Sequence, residues 1–308
     1  MIENFTVFFI IMALGVLFKR LKPAGIDADG ARHVINTVVI NFFLPALCLK
    51  VMSSAVIDKN TLLFPLAAVL TILISLALAF LCYSVFEKFI HFTKKEKGIL
   101  ILAASFGNVT FLGLPVLTGL YGEEAAKYVL IYDFLATTPL LWIVGASIAS
   151  YYGTEQKLTI KEGLKTLAAL PPIWALVLAL ILNIAGIKLP ALIIKTCELM
   201  SAPVIPLMIF SVGMALAVPK IKHTVITAPA VIIKLCAAPL IAFAAAAVLG
   251  IDGLAFKASV MEAAMPTMVL TLVIASRYKL DHALCAFAIL LSTAASFFTI
   301  PFIASLIK

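Results

Sequence analysis

The chain has 308 residues, 64% hydrophobic and 12% charged, with a formal net charge of +8 and a mean hydropathy of +1.17. A soluble domain carries about 25% charged residues. Composition therefore excludes a soluble enzyme, a disordered chain and a disulfide scaffold, and it turns the positive charge into a question of membrane topology rather than nucleic-acid binding. A spanning helix needs about 20 apolar residues, so the sequence reads as an all-α polytopic membrane protein.

Ten apolar segments are predicted, at residues 3–19, 30–52, 61–86, 98–120, 124–150, 164–184, 190–217, 224–249, 254–276 and 283–306. The first begins MIENFTVFF without a basic stretch, so it is expected to remain as a helix and not to be removed as a signal peptide. The second carries Asn41 and then Pro45 within FFLPALCLKVM. The fourth, ILAASFGNVTFLGLPVLTGLYG, is interrupted by Gly107, Asn108, Thr110, Gly113 and Pro115. Asparagine competes for backbone partners, glycine exposes backbone, and Pro115 removes a donor and crowds the carbonyl of Phe111. In lipid each freed polar group must be satisfied by protein or enclosed water. This segment is therefore expected to be buried, unwound near Gly107–Thr110 and facing a cavity.

The fifth segment holds Asp133 and is followed by the longest polar break, Tyr151 to Gly163. The seventh carries Pro206 within VIPLMIFSVGMAL, and the eighth carries Lys234 within VIIKLCAAP. The ninth, KASVMEAAMPTMVLTLVIAS, places Glu262 one turn before Pro266 and Thr267. Ionisable groups at membrane depth pair or mark a pathway, so Asp133, Lys234 and Glu262 are candidates for proton or ion coupling, with Lys234 pairing with either carboxylate or reaching an interface. Alanine-rich runs in the eighth segment and STAAS in the tenth give small-residue faces for close packing around the interrupted segments.

Five segments precede the polar break and five follow it. An odd number makes the halves opposite in orientation, a 5+5 inverted repeat of residues 1–150 and 164–308 joined by a cytoplasmic linker at 151–163. Matched kinks at Pro45 and Pro206, and matched breaks in segments four and nine, agree with this. The loops after odd-numbered segments carry Lys19, Arg20, Lys22, Arg32, Lys88, Lys94, Lys95, Lys97, Lys157, Lys161, Lys165, Lys220, Lys222, Arg277 and Lys279. The opposite face carries Lys50, Lys59, Lys127, Lys188, Lys195, Lys257 and Lys308. The positive-inside rule then puts both termini on the extracytoplasmic side of the cell membrane.

Cys48, Cys82, Cys197, Cys236 and Cys285 form no CxxC pair and read as buried free thiols. His33, His91, His223 and His282 fall at segment ends, and Trp142, Tyr151, Tyr152, Trp174 and Tyr278 near interfaces. There is no HExxH, GxSxG or phosphate loop, so no enzyme, metal or cofactor is expected.

The stretches SFGNVTFLGLPVLTGLYG (105–122), IPLMIFSVGMALAVP (205–219) and MEAAMPTMVLTLVIA (261–275) resemble the auxin efflux carrier family, which includes bacterial malate-permease-like proteins and plant PIN-FORMED carriers. Asn108, Phe111, Gly113 and Pro115 match an Asn-x-Gly-Phe-x-Gly-x-Pro pattern of bacterial relatives, with Thr110 in place of the glycine. Gly107 stands where plant carriers have a proline, and Pro266 matches the family's proline in segment nine. The resemblance implies a fold similar to bile-acid symporters and sodium–proton antiporters, with segments four and nine crossing at their breaks. It further implies a scaffold of segments one, two, six and seven, joined as a homodimer, and a moving transport domain of segments three to five and eight to ten. The expected function is secondary transport of a small organic anion by elevator-type alternating access. Asn108, Thr110, Pro266 and Thr267 would form the site, with Asn41 closing it from the scaffold. The competing readings are a sodium-coupled symporter or cation/proton antiporter on the same fold, and a non-transporting receptor or scaffold. The expected partners are the substrate and the lipid bilayer.

Overall fold

A computed structural model describes residues 2–154, 160–215 and 224–307. Residues 155–159 of the expected linker, the loop carrying Lys220 and Lys222, and His223 lie outside the described residues. The described chain is helical, with a single isolated bridge between Gly107 and Thr267. In order the helices are α1 (Ile2–Leu21), α2 (Ala28–Met52), α3 (Lys59–Phe86), α4 (Lys94–Ser105), α5 (Val109–Tyr121), α6 (Glu123–Gly153), α7 (Lys161–Ala168), α8 (Pro171–Ile184), α9 (Ala191–Ala215), α10 (Thr224–Val248), α11 (Gly253–Ala263), α12 (Thr271–Arg277) and α13 (His282–Leu306). Six of them, α2, α3, α6, α9, α10 and α13, are long and apolar enough to cross a membrane. The protein is a multi-pass membrane protein on this evidence. The sixth predicted segment is not one straight helix: α7 and α8 meet at 72°, because Leu170 precedes two prolines and takes an extended conformation.

Short polar residues start several helices. Asp27 accepts from the Gly30 amide at 2.7 Å, Asp58 from Thr61 at 2.8 Å and Asp281 from Leu284 at 2.8 Å. Thr93 and Glu96 form a reciprocal capping box on α4.

Of the predicted proline interruptions, Pro45 and Pro115 take a form that Pro139 and Pro239 share, while Pro206 has no π turn before it. Pro45, Pro115, Pro139 and Pro239 each stand two residues after a π-helical turn, at Val39–Phe43, Val109–Gly113, Asp133–Thr137 and Ile233–Ala237. A proline lacks the amide that would bond four residues back and its ring crowds that carbonyl. The wider turn moves the crowded carbonyls aside without ending the helix.

The chain divides into two compact units. The first comprises Met1–Ile57, Thr110–Leu130 and Lys165–Leu216. In it α1 packs along the second half of α9, and α8 packs on Leu44–Met52 of α2. A Cβ on Gly213 would stand 2.1 Å from the Met12 carbonyl oxygen, so α1 and α9 meet backbone to backbone. Asn183 donates to the carbonyls of Met52 and Ala55, both at 2.8 Å, and the Ser211 hydroxyl to the Asn36 amide oxygen at 2.7 Å.

The second unit comprises Asp58–Val109, Ile131–Leu164 and Ala217–Lys308. In it α4 is buried from Lys97 to Ser105 by α3, the end of α6, the start of α10 and α13. The alanine run of α10 packs on α11, with Ala238, Ala242 and Ala263 in one buried cluster, as the small-residue faces lead one to expect.

Candidate functional site

The two interrupted segments meet within the second unit. Helix α4 stops at Ser105 and α11 at Ala263, and the residues after each run extended and antiparallel. The Asn108 amide donates to the Pro266 carbonyl at 2.7 Å, and the Met268 amide to the Phe106 carbonyl at 2.9 Å. The two bonds flank the facing pair Gly107 and Thr267. Each break thus supplies the backbone partner that the other has lost, which is what a dry interior requires.

Ala103 and Ala263 are among the carbonyls that the breaks deprive of their ordinary helical donors. In an unbroken helix Ala103 would accept from residue 107 and Ala263 from residue 267. Instead the Thr267 hydroxyl donates to Ala103 at 2.8 Å, the Thr267 amide turns to the Ser292 hydroxyl of α13 at 3.1 Å, and Lys234 Nζ of α10 donates to Ala263. Thr267 is 1% exposed and Lys234 is 2% exposed, so this lysine does not reach an interface. Gly107 makes room for it: a Cβ there would lie 3.0 Å from Lys234 Cε and 3.2 Å from Nζ.

Asn108 is buried and its Nδ2 has no hydrogen-bond partner among the described residues. Neither carboxylate oxygen of Glu262 has one, and that residue is 0% exposed. Glu262 lies within electrostatic range of Asp133 and Lys234. Asp133 is itself buried on a π turn and accepts from the Thr138 hydroxyl at 2.7 Å. Asp133, Lys234, Glu262, Gly107, Asn108, Pro266 and Thr267 therefore share one unit, and the three charges all lie in its interior.

Other predicted residues fall elsewhere. Thr110 and Gly113 lie on the π turn that opens α5, Pro115 follows it, and all three belong to the first unit with Asn41, Pro45 and Pro206. The unwound stretch is thus narrower than expected, since Val109 and Thr110 are already helical. Asn41 is exposed and its amide donates to the Thr37 carbonyl at 2.7 Å. Pro206 sits near the start of the second half of α9. Of the cysteines, Cys236 is exposed and Cys82 half-buried, against the expectation that all five are buried; Cys236 faces outward from the π turn that turns Lys234 inward. Trp142 and Tyr278 are buried in the protein, with the exposed Arg277 guanidinium 6.0 and 5.7 Å from their ring centroids. Ser292 is the site residue that the motifs missed; its only sequence signal is membership of the small-residue run STAAS.

The profile of a family described as "Membrane transport protein" matches residues 1–304. The chain is 28% identical over 295 residues to an uncharacterized transporter of Methanocaldococcus jannaschii, covering 94% of each chain. It is 29% identical over 302 residues to one of Methanothermobacter thermautotrophicus, again covering 94% of each. It is 26% identical over 279 residues to the uncharacterized transporter YfdV of Escherichia coli K12, covering 88% of this chain and 86% of the relative. With a match along nearly its whole length, the chain belongs to the membrane transport protein family, the auxin efflux carrier family that its interrupted segments resemble.

Proposed function

We propose that the protein is a secondary transporter of small organic anions, carboxylates such as malate or auxin-like acids, and not an enzyme. The observation that carries this is the antiparallel crossing of Phe106–Asn108 with Pro266–Met268, beside which a buried Asn108 amide keeps an unused donor. A donor held without a partner in a dry site is unfavourable, and a carboxylate oxygen is the group that would relieve it. Asn108 immediately precedes α5, whose first turn carries the positive end of the helix dipole. Thr267 adds a hydroxyl at the crossing, and Thr110 and Asn41 are the further residues proposed to bind substrate.

The larger architecture follows the same reading. Ten crossings in a 5+5 inverted repeat, residues 1–150 and 164–308, would place α4–α5 and α11–α12 as the paired broken helices. Segments one, two, six and seven would be the scaffold and dimer interface, and segments three to five and eight to ten would carry the crossing through the cell membrane as an elevator. The two compact units follow this grouping in sequence except at Thr110–Leu130, the second half of segment four and the start of segment five, which belong to the first unit. Coupling is assigned to Asp133, Lys234 and Glu262; a flux indifferent to both pH and salt would remove it from them.

The test is uptake of mono- and dicarboxylates into proteoliposomes. Replacing Asn108 by Ala removes one hydrogen bond to a charged group, about 1.5–3 kcal/mol, so uptake should fall at least about tenfold. The variant should still purify as a folded protein, and wild-type flux in N108A would remove the site from the crossing.

A further inference from the structure

Lys234 is placed where a transporter of this architecture would hold a small cation. The carbonyl end of a half-helix and the unwound backbone after it are ligands for sodium in broken-helix transporters, since the helix C-terminus carries partial negative charge. In α11 that end is Ala263, whose carbonyl is released because the Thr267 amide is taken by Ser292. Lys234 Nζ donates to this carbonyl from a buried position, and Glu262 adds a carboxylate within electrostatic range. Gly107 lacks the Cβ that would crowd the lysine. The matching carbonyl of the other break, Ala103, is filled by a neutral hydroxyl, so the two breaks are satisfied by chemically different groups.

We infer that the Lys234 ammonium is a tethered cation, standing in for a coupling sodium ion at the carbonyl end of α11, so that this position neither binds nor requires sodium. The inference deepens the transport reading and rests on it for its meaning, but its primary test needs no substrate. The purified full chain is unfolded thermally in matched chloride salts of sodium, potassium and choline. Wild-type protein should melt at the same temperature in all three. Lys234→Met leaves a carbonyl and carboxylates, the hard oxygen ligands that small cations take. It should melt lower in choline chloride and be raised by about 3–6 °C by sodium chloride, while Lys234→Arg keeps the wild-type indifference to salt.

A selective rise of the wild-type melting temperature in sodium overturns the inference, because a sodium site then coexists with the lysine. So does a folded K234M protein that melts like wild type and ignores sodium. If K234M does not fold in any salt, the wild-type comparison still decides. Carboxylate flux in sodium and in choline completes the test: stimulation by sodium counts against the tethered cation, whereas absence of flux with a salt-indifferent wild type and a sodium-responsive K234M overturns only the transport reading.

Discussion

Gly107 is the residue on which the crossing closes most tightly. Its missing side chain admits Lys234 on one side and the Met265 carbonyl, 3.3 Å from a notional Cβ, on the other. Neither neighbour yields easily, since the lysine is held by Ala263 and the carbonyl belongs to the backbone of the break. Gly107→Ala should therefore destabilise by about 1–3 kcal/mol, the usual effect of adding a methyl to a filled core, and lower the melting temperature of the purified protein by several degrees. The origin of the loss is checked by repeating the substitution on Lys234→Ala. There the contact with Cε and Nζ is gone, so the two changes should be less than additive. Full additivity would show that the strain lies with Met265 and not with the lysine. A glycine at this position leaves the break to be maintained by pairing to the other segment as much as by local stiffness.

At the scale of helices, side chains repair backbone ladders that proline and glycine interrupt. Tyr83 of α3 is buried, and its hydroxyl accepts from the Ala230 amide at 3.0 Å and donates to the Ile226 carbonyl at 2.8 Å. Those two groups are four residues apart on α10 and flank Pro229, so the hydroxyl is inserted into the ladder of the neighbouring helix. Tyr83→Phe keeps the ring contacts with Phe86 and Phe92 but removes both bonds. It should cost about 1–3 kcal/mol, read as a lower melting temperature with unchanged far-ultraviolet circular dichroism; an unchanged melting temperature would mean that α10 closes its own ladder. The positions of the helical stretches are legible in the sequence because long apolar runs and polar breaks are additive signals. The breaks at Gly107–Asn108 and Pro266 are legible because glycine, asparagine and proline act locally. The π turns before Pro45, Pro139 and Pro239 are not, since one added residue scarcely disturbs a 3.6-residue pattern in a run that is apolar on every face. Nor is the fate of Lys234, whose partner is a backbone carbonyl 29 residues away that becomes free only through Thr267 and Ser292.

Across the whole molecule, charge placement carries the argument about orientation. The positive-inside rule counts lysine and arginine near the ends of spans and gives little weight to acidic neighbours. Local pairing therefore does not weaken it: Lys97 bonds Glu87 at 2.7 Å and still counts for one face, and Lys50, 3.4 Å from Glu123, still counts for the other. The basic residues of the loops after odd-numbered segments outnumber those opposite by better than two to one, and every such loop contributes. If the chain makes the ten crossings proposed, the rule puts its two ends on the same, extracytoplasmic side and the 151–163 break in the cytoplasm. In bacterial cells a C-terminal fusion to alkaline phosphatase should be active and a C-terminal fusion to green fluorescent protein dark, with the reverse for reporters inserted at the 151–163 break. A fluorescent C-terminal fusion would mean either an odd number of crossings or an inverted molecule. The inserted reporters tell these apart, because inversion exchanges both results, whereas an odd number of crossings changes the C-terminal one alone when the miscounted segment lies after the break. Segments six and nine are where such a miscount would arise, since α7–α8 is bent by 72° and α12 is only 7 residues long.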